Sequence, residues 1–295
     1  MKRAALFLLI TMQTALAQTT AMDALKQALE AEFRKTTGSF ALAFEQLATG
    51  DRLLINEREM FHAASTMKTP VMVEVFKQAS EGKFRLDDSL LVKNEFKSIV
   101  DGSPYSLDLK DDSDDAMYQL IGKRATIRTL LHHMITLSSN LATNILIELV
   151  GARNVTATTR ALGADNITVL RGVEDGKAFQ QGLNNVTNAF DLMLIFKAIA
   201  QKTAVDSAAC NAMLETLFKQ EFNTKIPALL PPTVRVAHKT GNITGVEHDS
   251  GIVYLPDGSS YVLVLLSKNL KDNKEGVAVL AKVSRMVFDH VSGER

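Results

Sequence analysis

Ser65-Thr66-Met67-Lys68 sets a hydroxyl and an amine three residues apart, just before Pro70. On a helix three residues turn about 300° and rise about 4.5 Å, so both side chains share nearly one face. A lysine held there, partly out of water, gives up its proton more readily and can activate the hydroxyl as a nucleophile. A helix N-terminus adds free amides where negative charge would develop, and Pro70 suits a first turn. The spacing alone is weak, because Ser80-Glu81-Gly82-Lys83 repeats it. Two other clusters carry similar chemistry. Ser138-Ser139-Asn140 stands between two predicted helices, where it either presents side chains to a cleft or caps the helix that follows. Lys239-Thr240-Gly241 closes a β-rich run and opens a hairpin. It reads as a solvated turn or as a cation and hydroxyl at a strand end, with glycine admitting a carboxylate ligand close to the backbone.

The elements that must position these clusters follow from periodicity. Thr19 to Lys35 repeats at helical spacing; Ser39–Gln46 and Arg52–Ile55 read as strands joined by the turn Ala48-Thr49-Gly50-Asp51. Helices are predicted over Pro70–Ala79, Arg128–Ile135, Leu141–Val150, Ala189–Ala200 and Cys210–Phe218. Val234–Lys239, Ser250–Leu255 and Ser260–Ser267 are β-rich, joined by Gly241-Asn242 to Gly245 and by Asp257-Gly258. A last amphipathic helix runs from about Asn273 to His290. The expected fold class is α/β (α+β): a five-stranded antiparallel sheet with the N- and C-terminal helices on a face, and an inserted all-helical lobe. The α/β lobe takes residues 18–64 and 225–295, the helical lobe 65–224, and a ligand cleft is expected between them.

Taken together, the three clusters, S-x-x-K at Ser65, S-x-N at Ser138 and K-T-G at Lys239, resemble those of class A serine β-lactamases and the related penicillin-binding D,D-peptidases. The resemblance spans nearly all of residues 18–295, since the order of elements matches too. It implies Ser65 as the acylated nucleophile, Lys68 as its basic partner and Ser138 as a proton relay to the lactam nitrogen. Asn140 would bind the substrate's side-chain amide, and Lys239 and Thr240, beside Gly241, its carboxylate. The amides of Ser65 and Asn242 would form an oxyanion hole. Ser139 stands where the family pattern has aspartate. The deacylating glutamate of an E-x-x-L-N segment is also missing: Leu183-Asn184 is present, but Gln180 occupies the glutamate position. Glu174, in Arg171-Gly172-Val173-Glu174-Asp175, is the alternative base, with Arg171 expected to ion-pair with Glu174 or Asp175 and tie the omega loop. The resemblance implies a β-lactam substrate, or a D-alanyl peptide if the chain is a cell-wall peptidase or transpeptidase. Tyr105 and the residues after Gly241 are candidates for the pocket rim, and His238 either tunes that pocket or fills the strand end.

Composition narrows the alternatives. The 295 residues carry 33 basic and 33 acidic side chains, which offers no electrostatic footprint for nucleic acid. Lys2 and Arg3, the apolar run Ala4–Ile10 and Ala15-Leu16-Ala17 read as a secretory signal peptide at residues 1–17, too short to span a bilayer. The mature protein is then slightly acidic, secreted or periplasmic, without stable membrane insertion, and expected to be a monomer. Its one cysteine, Cys210, excludes an intramolecular disulfide. No metal or cofactor is expected: there is no HExxH, and Asp111, Asp112, Asp114 and Asp115 lack the glycine turn and bidentate glutamate of an EF-hand. That acidic stretch reads as a solvated loop leading into a helix around Met117 to Ile121.

Overall fold

The computed structural model describes residues 21–293, so the expected leader at residues 1–17 lies outside the described residues. The chain enters through helix α1 (residues 21–33), then strands β1 (Ser39–Gln46) and β2 (Arg52–Ile55). A long run of helices follows: α2 (Lys68–Ser80), α3 (Ile127–Thr136), α4 (Asn140–Val150), α5 (Ala152–Ala161), α6 (Ala189–Ala200) and α7 (Ser207–Leu217). Strands β3 (Arg235–Ile243), β4 (Val246–Tyr254) and β5 (Ser260–Lys268) then lead into helix α8 (Asn273–Ser292). The five strands pair antiparallel in the order β2-β1-β5-β4-β3.

Strand β5 is central, and its side chains from Tyr261 to Ser267 are all buried. Both faces of the sheet are covered there, which is why Tyr261–Leu266 is an unbroken apolar run rather than an alternating one. One face packs on α1 and α8 through Phe33, Phe44, Leu263 and Val283. The other packs on α6 and the helical lobe through Ala41, Ala43, Val264 and Phe196. Helix α2 is buried from Lys68 through Phe76, as the central helix of its lobe must be.

Three local readings change. The hairpin between β3 and β4 turns at Thr244-Gly245, because Ile243 pairs with Val246 and Gly241 with His248. Lys239-Thr240-Gly241 therefore lies within a strand, not at its end. Gly241-Asn242 resembles a turn signal, yet Gly241 pairs within the strand, and glycine suits it because a Cβ there would come 3.0 Å from the backbone of Ser65 and Thr66. Helix α5 escapes the periodicity because it buries threonines: Thr156 Oγ1 donates to Val169 O at 3.0 Å, and Thr158 Oγ1 to Glu74 Oε2 at 2.5 Å. The acidic stretch is only partly solvated, and its helix is the single turn Asp115–Tyr118. Asp114 is buried, caps Met117 N–H and pairs with His133 Nδ1 at 2.8 Å.

Candidate active site

Ser65 sits in a 3-10 turn, Ala64–Met67, that runs directly into α2. The turn brings Lys68 Nζ within 3.0 Å of Ser65 Oγ. Nζ also donates to Ser138 O at 2.5 Å, Ser138 Oγ at 3.1 Å and Asn140 Oδ1 at 2.8 Å. Those are four oxygens around one nitrogen, one more than an ammonium has protons. Lys68 is fully buried. Burial lowers its pKa to about 7, against the opposing pull of the Asp112 and Glu174 carboxylates. A lysine near pH 7 with a hydroxyl in hydrogen-bond reach is a competent base for a serine nucleophile.

The middle cluster divides its work. Ser139 is buried and caps α4 through Ala142 N–H, which leaves Ser138 and Asn140 to face Lys68. Ser138 holds a left-handed φ of 58°. Three of the six non-glycine residues with positive φ among the described residues, Ala64, Ser138 and Glu174, border this one cleft. Such strain persists where surrounding structure enforces it, and it collects at functional sites.

From the sheet side, Lys239 Nζ donates to Ser138 Oγ at 3.0 Å and to Thr240 O at 3.0 Å. Lys239 is fully buried, and burial holds its pKa well below 10.5, helped by the charges of Lys68 and Lys225. A continuous path thus runs from Ser65 Oγ through Lys68 and Ser138 to Lys239. A Cβ on Gly241 would lie 3.0 Å from the amide nitrogens of Ser65 and Thr66. The cleft has two compartments, about 630 Å³ and 430 Å³, and Ser65, Asn140 and Asn242 line both. Glu174 faces the first, Ser138 and Thr240 the second. His238 lines neither: buried under β4, it joins Asp249 Oδ1 (2.9 Å) to Asn223 Oδ1 (3.1 Å).

Glu174 reaches the cluster on the segment between α5 and α6. Its Oε1 accepts from Asn140 Nδ2 at 2.5 Å, so Asn140 links Glu174 to Lys68. Burial raises the Glu174 pKa to about 7; the bond from Asn140 opposes this, and the Asp112 and Asp111 charges add to it. The expected ion pair of Arg171 with Glu174 or Asp175 is not how this loop is tied. Arg171 donates instead to Leu183 O, Gly172 O and Asn184 Oδ1. Asp175 accepts from Ser98 Oγ and Ile99 N–H. Asp175 takes its hydrogen bonds from backbone and hydroxyl donors and Arg171 gives its own to neutral oxygens, so the two act on each other through charge alone, without contact. Gln180 is exposed on the turn Gly176–Gln180 and lines neither compartment. Tyr105 is behind the loop rather than on the rim: its hydroxyl contacts Val173 O and Asn144 Nδ2, each at 3.3 Å.

Three residues that sequence reasoning missed organise the site. Asp112 accepts from Asn140 N–H (2.9 Å) and Leu141 N–H (3.0 Å), so it caps α4 at the cluster. Asn144 Oδ1 accepts from Val173 N–H at 2.7 Å, and a Cβ on Gly172 would lie 2.4 Å from that oxygen. Asn185 accepts from Leu170 and Arg171 N–H and donates to Arg171 O and Met67 Sδ, stitching the loop to the turn of Ser65. Asp112 lies 28 residues from the helix it caps, so no local signal marks it, and buried asparagines leave none either. Among the described residues no group of three His, Cys, Asp or Glu could hold a metal ion, and no helix is long and apolar enough to cross a membrane.

The model of the beta-lactamase enzyme family matches residues 24–291. A beta-lactamase of Bacteroides uniformis is 26% identical over 253 residues, covering 81% of this chain and 82% of that protein. The extended-spectrum beta-lactamase PER-1 of Pseudomonas aeruginosa is 26% identical over 249 residues, covering 80% and 77%. Among solved structures, a beta-lactamase from Sphaerobacter thermophilus superposes with a TM-score of 0.78 at 26% identity, over 94% of this chain and 98% of that one. A PBP-A variant, solved as its acyl-enzyme with penicillin G, superposes with a TM-score of 0.79 at 26% identity, over 93% and 97%.

Proposed function

The chain belongs to the beta-lactamase enzyme family, and from that premise we propose that it hydrolyses β-lactams through an acyl-enzyme on Ser65. Lys68, neutral for part of the time near pH 7, takes the Ser65 proton as Oγ bonds to the lactam carbonyl carbon. The carbonyl oxygen becomes an oxyanion, held by the amides of Ser65 and Asn242, where each donor is worth about 2.7–4 kcal/mol. The C–N bond then breaks, and its nitrogen takes a proton from Ser138 Oγ. That proton is replaced along the contacts from Lys68 and Lys239 to Ser138. Lys239 and Thr240, with Gly241 opening the strand to close approach, hold the substrate carboxylate in the second compartment, and Asn140, keeping its bonds to Lys68 and Glu174, borders both compartments where the acyl side chain's amide meets it.

Deacylation is the work of Glu174, which takes a proton from water as the water oxygen attacks the ester carbon; as Ser65 Oγ leaves, the proton held by Glu174 returns to it by way of Lys68, and Glu174 is again a carboxylate. The observation that carries this reading is the Lys68–Asn140–Glu174 connection, with Glu174 brought near neutral pKa by burial. A base near pH 7 beside the acylation lysine is what separates hydrolysis from persistent acylation. The leader pattern at residues 1–17 supports a secreted or periplasmic enzyme, and that location supports a part in β-lactam resistance. Mixing the purified protein with a chromogenic cephalosporin while following its mass tests the reading. Steady turnover with a transient adduct on Ser65 is expected. A stable adduct without turnover would make it a penicillin-binding peptidase-like protein, and no adduct and no turnover would refute both.

A further inference from the structure

On the reading that Ser65 is acylated, we propose that His62 is a positioning residue, whose neutral imidazole holds the left-handed turn at Ala64 that aims Ser65 into the cleft. Ala64 is buried and has φ 44°, a conformation that Cβ sterics disfavour for any residue but glycine. Its N–H donates to His62 Nδ1 at 3.0 Å. That bond needs the Nδ1 lone pair, so the ring proton is on Nε2.

The neighbouring backbone holds His62 firmly. Phe61–His62 pairs with Val186–Thr187, Ala63 N–H donates to Asn185 O at 2.8 Å, and His248 Nε2 donates to His62 O at 2.9 Å. With both sides pinned, Ala64 is the place where the chain must bend to reach Ser65. Directly after it come the amides of Ser65 and Thr66 that sit against Gly241. Rotation at Ala64 would swing the Ser65 amide away from Asn242 and the hydroxyl away from Lys68. The His62 ring meets Phe179 of the loop edge-on at 6.4 Å between centroids, so it also joins the two walls of the larger compartment.

Protonating Nδ1 replaces an acceptor with a donor facing the Ala64 N–H. The titratable groups lining the same compartment as the ring are Arg171, Glu174 and Asp175 from the loop and Asp111 from the facing wall; on the strand side Lys268 sets its ammonium over the neighbouring Phe61 ring. Behind it, on β4, His248 is kept neutral by burial, with a pKa of about 4. Burial and the Arg171 charge lower the His62 pKa below 6.5. The acceptor is thus present above that range and lost as pH falls through the lowered value.

The test compares acylation rate constants of His62→Leu and His62→Asn, each with and without Ala64→Gly. Asparagine can accept from the N–H two residues on, as in an Asx turn, and does not titrate. His62→Leu should slow acylation about tenfold or more, and His62→Asn less than about threefold. Ala64→Gly should recover most of the leucine loss, because glycine takes positive φ without strain. The ratio of wild type to His62→Asn cancels the titration of Lys68 and Glu174. It should be level through neutral pH and fall only as pH drops through His62's lowered value, below 6.5. Equal losses in the two variants, no recovery with Ala64→Gly, or a level ratio would each overturn the inference while leaving acylation intact. Absence of any adduct on the wild-type protein would instead overturn the acyl-enzyme reading and this inference with it. If His62→Leu does not fold, the ring nitrogen shifts of the wild-type protein decide: an unprotonated Nδ1 at neutral pH is expected, and a protonated one would overturn the inference.

Discussion

Glu174→Gln separates the two halves of the proposed reaction. The amide keeps the shape of the carboxylate, and its oxygen can still accept from Asn140 Nδ2, now 2.5 Å from Glu174 Oε1. What disappears is the ability to take a proton. General-base catalysis contributes about 10²–10⁴-fold, or about 2.7–5.5 kcal/mol, to the step it serves. Deacylation should slow by that factor, while acylation through Lys68 continues. A mass spectrum taken seconds after mixing with a chromogenic cephalosporin should show nearly all of the variant acylated on Ser65, with a burst of about one equivalent and little steady turnover. The pH dependence follows from burial, which raises the Glu174 pKa to about 7. The base form grows as pH rises through 7, and one unit below only about a tenth remains. Wild-type deacylation should fall on that acid limb, and the variant's residual rate should lack it. Stability moves the other way. Raising a carboxyl from 4.5 to about 7 destabilises the fold once it is ionised, by less than the full ~3 kcal/mol such a shift would carry, because solvent reaches the half-buried site. The variant should therefore melt higher than wild type above pH 7, the difference vanishing toward pH 4.5. Unchanged turnover, or a variant that never accumulates adduct, would refute Glu174 as the base.

Gly172→Ala puts a Cβ 2.4 Å from Asn144 Oδ1; deacylation should slow about tenfold or more with acylation near wild type, and equal losses in both steps would count against it. Gly241→Ala forces a methyl to 3.0 Å from the Ser65 and Thr66 amides. Acylation should slow about tenfold or more while folding is kept, and wild-type acylation by stopped flow would argue against close approach as the reason for glycine. Burial of Asp114 raises its pKa, but the bond and charge of His133 outweigh this and leave it below 3.8. That pair stabilises the fold above pH 3.8, and the gain is lost as pH falls through the lowered value. His133→Ala should therefore move the acid-unfolding midpoint, followed by circular dichroism, to higher pH; an unmoved midpoint would refute the pairing argument.

Local elements were legible where local rules decide them. β1 and β2 alternate or carry β-branched and aromatic residues, and both form as predicted, Ser39–Gln46 and Arg52–Ile55. α6 carries its own cap in Asn188, whose side chain accepts from Asp191 N–H at 2.7 Å. The errors came where a residue answers to a distant partner. Gly241 looked like a turn residue because its reason, the Ser65 backbone, is far away in sequence. Asp112 and Asp114 looked solvated because the amides and the histidine they bind belong to α3 and α4.

The sequence by itself determined the chemical types and their order: a hydroxyl and an amine on one turn, a hydroxyl and an amide between helices, a lysine and a glycine in a late strand. Side-chain types and short-range periodicity are properties of the chain alone. Only the tertiary structure decided what those groups can do. Lys68 meets Ser138 and Asn140 across 70 and 72 residues, Asn140 meets Glu174 across 34, and Ser138 meets Lys239 across 101. Proton affinity depends on desolvation and on charges a few ångströms away, and those come from segments that only folding brings together.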